Sequence, residues 1–240
     1  MSRPAGKNIH RSEHRPLASA STKEGVRNPA VWCILLIIAC SFTAYSNSLT
    51  NGYAYDDLDI IVKNPNIRSF ESVVSSLHSY RPIRWFTFAL DYQLWGLDPF
   101  GYHLSNVLLH AVCSVLVFWV ARLIIRDLAG ALIVSLLFCA HPVTTEAVGN
   151  ISNRNELLGT IFSLSALLFY IKRSARPLFI VAVLPLHILA LMSKEAIAVS
   201  LPLLFIASMP LSTMLMMARS HLSGSQDSGI VSAVSSTGPT

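Results

Sequence analysis

Three carboxylates, Asp56, Asp57 and Asp59, fall within four positions of NGYAYDDLDIIVKNP, residues 51–65, just after one of the most apolar stretches of the chain. Carboxylates so placed suit two kinds of work. In the first, one takes the proton of an attacking hydroxyl or holds a divalent metal, Mn or Mg, that steadies a charged leaving group. The local sequence does not single out one of the three for that work. In the second, an acidic residue at a helix start satisfies open backbone N–H groups and suits the positive end of the helix dipole. Three aspartates exceed what one cap needs, and the local sequence leaves both readings open.

A second charged segment, HPVTTEAVGNISNRNELL at residues 141–158, brings His141, Glu146, Asn150, Asn153, Arg154 and Glu156 to the end of an apolar run. Glu146, Asn150 and Asn153 or Arg154 have helical spacing and can share one face. An ion pair of Glu146 with Arg154 would explain part of the pattern. Ionisable residues near a membrane interior otherwise point to a site. Ser193-Lys194-Glu195 repeats the theme, and Tyr80-Arg81-Pro82 with Arg84 adds cations. Arginine's fork matches phosphate or diphosphate, and the same side chains can snorkel from an interfacial helix.

The elements that must position these groups are apolar. Of 240 residues 52% are hydrophobic and 13% charged, well below the roughly 25% charged of a soluble domain. The apolar residues come in long runs separated by compact charged stretches, the pattern of a polytopic helical membrane protein. Continuous runs, without alternation, exclude a membrane β-barrel. About six spans are expected: 29–49, 102–121, 128–142 with TEAVGNI as a helical extension, 157–171, 177–192 and 196–217. The domain reading is a disordered basic cytoplasmic tail over 1–28, a transmembrane domain over 29–217 and a disordered Ser/Gly/Thr-rich tail over 218–240.

Basic residues fix the expected orientation. Arg3, Lys7, Arg11, Arg15, Lys23 and Arg27 precede the first span, Arg122 and Arg126 follow the second, and Lys172, Arg173 and Arg176 follow the fourth. By the positive-inside rule these face the cytoplasm, so residues 50–101, 142–156 and 192–196 share the far side. The net charge of +5 is accounted for in this way. No aromatic interleaving or zinc-finger spacing supports a nucleic-acid partner. Cys33, Cys40, Cys113 and Cys139 lie inside spans without CxxC spacing, so neither a metal nor a disulfide is assigned to them. The first far-side loop is about fifty residues long. Phe70, Val73, Val74 and Leu77 at helical spacing, with Trp85 and Trp95, predict amphipathic helices lying on the membrane surface.

Taken in order, YAYDDLDIIVKNPNI, SYRPIRWFTFALDYQLWGLDPFGYHLSNVLLHAVCSVLVF, HPVTTEAVGNISNRNELL and LMSKE resemble the amino-terminal membrane half of the transmembrane and tetratricopeptide-repeat O-mannosyltransferases, over about residues 30–205. The resemblance implies an all-α, polytopic bundle of the C-type glycosyltransferase superfamily. It also implies transfer of a sugar, mannose by family, from a polyprenyl or dolichyl phosphate carrier to a protein serine or threonine hydroxyl at the lumenal or external face. The family's proposed catalytic carboxylate falls on the Asp56-Asp57 pair, with Asp57 slightly favoured as the base and, by the same analogy, the candidate metal ligand. Arg81 matches the YRP segment, His141, Glu146 and Arg154 match HP...EAV...R.EL, and Lys194 and Glu195 match SKE. The implied roles are donor-phosphate contacts for the cations and pocket organisation for Glu146 and Glu195.

The implied partners are membrane lipid, the lipid-linked sugar and a protein acceptor. The implied compartment is the endoplasmic reticulum membrane in a eukaryote or the plasma membrane in a prokaryote. Members of the family carry around ten or more spans and a long tetratricopeptide array, neither of which this sequence contains. Half a bundle is expected to leave the donor pocket incomplete, so the alternative is a catalytically inactive membrane protein with a structural or subunit role.

Overall fold

The computed structural model of the chain describes residues 28–75, 81–172 and 178–199. Both expected tails, Tyr80, Arg173, Arg176 and most of the sixth expected span lie outside those residues. Every regular element within them is helical.

Asn28 caps the first helix, α1 (Pro29–Tyr45), by accepting from the Ala30 N–H at 3.1 Å. A short 3-10 turn carries it on, giving an apolar helical stretch of 22 residues, Pro29–Thr50. At about 1.5 Å per residue that is roughly 33 Å, enough for a hydrocarbon core of about 30 Å. The loop that follows forms a π-helical turn (Leu58–Val62), a 3-10 turn (Pro65–Arg68), and the helices α2 (Phe70–Ser75) and α3 (Pro82–Trp95). The expectation of helices in this loop is met, with Leu77 outside the described residues.

A tight corner joins α3 to α4 (Pro99–Ile125), 27 residues long and of membrane-crossing composition. Gly96 ends α3 at φ 60°, a left-handed conformation that glycine adopts without a Cβ penalty. Asp98 then caps α4 through the Phe100 N–H. The Trp95 indole lies over Gly101, where a Cβ would sit only 2.1 Å from its ring.

Asp127 caps α5 (Leu128–Cys139) at the opposite end of the bundle. Pro142 cannot continue that helix, and the chain bends by 49° into the short α6 (Thr145–Gly149). The extension expected from TEAVGNI is therefore present as the second limb of a broken span. A 3-10 turn (Ile151–Asn153) leads into α7 (Arg154–Lys172), against which α8 (Phe179–Ser193) packs.

The described residues thus hold two helices of membrane length and composition, or three with the bent pair. α7 and α8 lie where the fourth and fifth spans were expected. α7 spends part of its 19 residues on Arg154, Asn155, Glu156 and Lys172. The 15 residues of α8 reach only about 22 Å. With its apolar flanks exposed, as at Trp32, Leu36, Val112, Leu137 and Leu184, the chain is a multi-pass membrane protein with an all-α bundle.

Three apolar clusters fill the bundle. Cys33, Ile37, Phe118, Ala121 and Ala131 pack toward the α4–α5 connection, and Tyr45, Val107, Cys113, Val148 and Leu157 pack toward the other end. Ile61, Ile67, Phe88, Tyr102 and Ile151 form a third core that seats the first loop on α4. Between α1, α4 and α5, polar atoms bond locally: Ser41 Oγ lies 3.1 Å from Cys139 Sγ, and Ser135 donates to the Ser114 carbonyl at 2.7 Å. Such contacts help hold helices together where lipid offers no water to compete.

Candidate functional site

The three segments expected on one side of the membrane do share one end of the bundle. Tyr45, at the end of α1, bonds Thr144 across 2.6 Å, and Asp57 reaches Ser152. Arg81 pairs with Glu195, Arg154 pairs with Asp91, and Lys194 pairs with Glu156. Every one of these bonds joins segments far apart in sequence.

The acidic pair divides its work. Asp57 is buried, and its Oδ1 accepts the Ser152 N–H at 2.8 Å while Oδ2 accepts the Ala54 N–H at 3.1 Å. It does act as a cap, but for the turn at Ile151–Asn153 and not for the turn that it precedes, to which its side chain makes no bond. Asp56 is exposed, its side chain tied by no hydrogen bond among the described residues. Asp59 is exposed and pairs with Lys63 at 2.7 Å. The left-handed Tyr55, at φ 48°, turns the backbone just before the pair.

The donor set at Asp57 does not fit a metal. Both its oxygens serve backbone N–H groups, and among the described residues no three His, Cys, Asp or Glu side chains converge. A hard divalent ion needs several oxygen ligands, so no step is derived through one.

Arg154 is held by internal partners. It is fully enclosed, with Nη1 2.6 Å from Asp91 Oδ2, Nε donating to Asn106 Oδ1 at 2.8 Å and Nη2 donating to the Tyr102 carbonyl at 3.0 Å. Its guanidinium carbon lies 4.6 Å from the Phe88 ring centre. Thr87 Oγ1, 3.4 Å from Nη1, completes its partners, and Glu146 is not among them. Burial pushes the Asp91 carboxyl up, while Arg154 and the Ser105 hydroxyl, 2.7 Å away, pull it back. A buried charge is tolerated only with such a partner.

Arg81 and Lys194 are the less enclosed cations, and each is held by a carboxylate. Arg81 grips Glu195 with Nε at 3.1 Å and Nη2 at 2.6 Å, a two-point fork. The Asn155 amide, oriented to suit both neighbours, accepts from Arg81 Nη1 at 2.9 Å and donates to the Ser152 carbonyl at 3.0 Å. Burial pushes the Lys194 ammonium below the ordinary lysine value, with Arg81 adding to the effect and Glu195 and Glu146 opposing it. Phosphate can reach either cation only by competing with Glu195 or Glu156.

His141 is exposed, and its Nδ1 accepts the Val143 N–H at 3.1 Å, which caps the turn after α5. Glu146 is also exposed and accepts from Asn153 Nδ2 at 3.4 Å. Beside them opens a cavity of about 270 Å³ between α4, α5, α6 and α7, bordered by Glu146, Asn153 and Glu156. On another face of α4 lies a cavity of about 290 Å³ with Leu90, Leu108 and Val112 in its wall and the Arg154–Asp91 pair at its polar end.

Sequence reasoning passed over Asp91, Asn106, Ser152 and Asn155, which hold this end together. The signal for Asp91 was present in FTFALDYQLW, a lone acid among aromatic and aliphatic residues at a membrane surface. Asn106 is likewise a lone amide within an apolar span. Ser152 and Asn155 act largely through their backbone and local amide, for which no residue-type signal exists.

No family model matches the chain, and no solved structure does. Curated proteins do. "Protein O-mannosyl-transferase F38B6.6" of Caenorhabditis elegans is 34% identical over 202 residues, covering 76% of this chain and 29% of that protein. "Protein O-mannosyl-transferase Tmtc3" of Drosophila melanogaster is 33% identical over 213 residues, with shares of 72% and 23%. "Protein O-mannosyl-transferase TMTC3" of Homo sapiens is 38% identical over 152 residues, with shares of 57% and 16%. The chain spans less than a third of the length of these relatives, and through that shared part it is linked at family level to the protein O-mannosyl-transferases.

Proposed function

We propose that this chain forms the transfer end of a membrane glycosyltransferase, which moves a sugar from a polyprenyl or dolichyl phosphate to a serine or threonine hydroxyl of a protein. The observation that carries the reading is convergence: the charged segments shared with the O-mannosyl-transferases gather beside a cavity at one end of an apolar bundle. A lipid-linked donor keeps its hydrocarbon in the bilayer, so a site at the end of the spans spares the chain from entering water. Mannose as the sugar is taken from the relatives' names, and the endoplasmic reticulum as the compartment is part of the same proposal.

In the reaction the acceptor oxygen attacks the anomeric carbon, the bond from that carbon to the phosphate oxygen breaks, and the hydroxyl proton passes to a base. Asp56 is our choice of base, in place of Asp57, because its carboxylate is exposed while both oxygens of Asp57 are engaged by backbone. Asp57 positions the loop. Arg81 and Lys194 are the cations available to steady the departing phosphate, at the expense of their carboxylate partners. A structural or subunit role without catalysis is the second reading, favoured by the commitment of Asp57 and Arg154 to internal bonds.

The test is transfer of radiolabelled mannose from polyprenyl-phosphate-mannose to acceptors in membranes containing the chain. Asp56→Asn is expected to reduce transfer by about 100-fold or more, the usual scale for a general base. Wild-type transfer unaffected by Asp56→Asn overturns the assignment of the base. Silence of correctly inserted wild type with several donors favours the structural reading.

A further inference from the structure

The cavity of about 270 Å³ between α4, α5, α6 and α7 combines polar side chains, Glu146, Glu156, Asn153 and Thr160, with the apolar Phe138, Ala147 and Leu157. Glu146 and Glu156 bring carboxylates to it from α6 and α7. His110 borders it from α4 without opening a ring nitrogen to it. The ring is fully buried, its Nε2 is 3.1 Å from the Cys139 carbonyl, and Nδ1 has no hydrogen-bond partner. A carbonyl only accepts, so in the neutral ring Nε2 carries the hydrogen and Nδ1 keeps its lone pair. The neighbouring cation, Lys194, is already engaged by Glu156.

A cavity that sets carboxylate, amide and hydroxyl groups beside apolar surface calls for an uncharged ligand rich in hydroxyls. Phosphate brings only acceptors and negative charge, and facing two carboxylates it is repelled. A sugar ring brings several hydroxyl donors without charge, and its C–H face suits the apolar part of the lining at Phe138 and Leu157. The volume falls just under the ~300 Å³ at which drug-sized sites begin, so it suits one ring and not an extended lipid.

We propose that this cavity receives the sugar ring of the lipid-linked donor, with Glu146, Glu156 and Asn153 meeting its hydroxyls, and that the donor phosphate lies outside it. The identity of the ligand as the donor's sugar rests on the transferase reading; the mixed polar and apolar lining does not. The consequence differs from the motif-based expectation, because the HP...EAV segment then contacts the hydroxyls of the sugar and not the phosphate.

The test needs no turnover. Val143 borders the cavity and is 74% exposed, so Val143→Cys supplies a thiol at its mouth. Maleimide labelling of this cysteine is followed in membranes containing the 240-residue chain, with the parent chain as a blank for the other cysteines. Methyl mannoside at high millimolar concentration is expected to slow labelling at least twofold, and inorganic phosphate is expected to leave it unchanged. The protection should disappear when Thr160→Phe fills the cavity, and also when the exposed Glu146 is replaced in Glu146→Ala.

Labelling that mannoside does not slow overturns the proposal, as does protection that survives both substitutions. Protection by tetramethylammonium without protection by mannoside would make this a cation site and equally overturns it. Loss of protection with intact mannosyl transfer sinks the cavity assignment alone. Protection without any transfer supports the cavity and counts against the transferase reading.

Discussion

Replacing Asp57 with alanine would strip the acceptor from two backbone N–H groups, those of Ser152 and Ala54. Hydrogen bonds to a charged group contribute about 1.5–3 kcal/mol each, so Asp57→Ala should lower stability by roughly 3–6 kcal/mol. Asp56→Asn should leave the melting temperature in detergent unchanged, because its side chain is exposed and makes no hydrogen bond among the described residues. A fall with Asp56→Asn equal to that with Asp57→Ala would contradict this division. Arg154 belongs to the same scale. Arg154→Met leaves Asp91 charged and enclosed, and should destabilise the chain by about 3–5 kcal/mol. Asp91→Leu in the same chain should recover part of that loss, and a strictly additive double mutant would argue against the pairing. Tyr53 gives a pH prediction. Burial first, then Asp98, Asp57 and Asp91, push its phenol from 10.0 up to about 12. The folded state therefore holds a proton that the unfolded chain has lost. Its contribution is intact below pH 10 and disappears as pH rises through about 12. Tyr53→Phe should flatten that part of the stability profile, and an unchanged profile would show that other groups set it. The charged residues themselves were legible in the sequence. Which of them were structural was not, because burial and backbone partners, as at Asp57 and Arg154, are long-range outcomes.

At the scale of elements, the corner between α3 and α4 relies on two glycines. Gly96 supplies a left-handed φ of 60°, and Gly101 makes room for the Trp95 ring. In Gly101→Ala the new methyl would meet the rigid centre of the indole, so α3 must lift from α4. The expected outcome is a lower melting temperature with a shift in tryptophan emission. Emission like that of wild type would mean the corner absorbs the methyl. Length and hydropathy made α1 and α4 readable, since each is a long apolar run. The bend at Pro142 was readable only in part, as a run too short to cross unless its neighbour joined it. The start of α7 was not readable, because Arg154, Asn155 and Glu156 in its first turn take long-range partners at the charged end.

At the scale of the molecule, the arrangement predicts sidedness. Tyr55, 88% exposed, and Val143, at the cavity mouth, should as cysteines react with a membrane-impermeant reagent added to the same side. A cysteine at Arg126, in the connection between α4 and α5, should react only from the other. Opposite labelling of positions 55 and 143 would overturn the topology. The distribution of basic residues already implied this grouping, because membrane insertion follows charge and hydropathy, which are local properties of the chain. The bonds that tie the grouped segments together join residues 95 positions apart at Asp57–Ser152 and 114 apart at Arg81–Glu195. Ribosomes add about 5–20 residues per second, so the first loop waits on the order of 5–20 s for its partners to be synthesised. During that interval Asp57 and Arg81 are already outside the ribosome with no mates. Biogenesis of this protein thus contains a timed vulnerability, in which half of a charge-paired surface must be shielded, by water or by the insertion machinery, until the other half arrives.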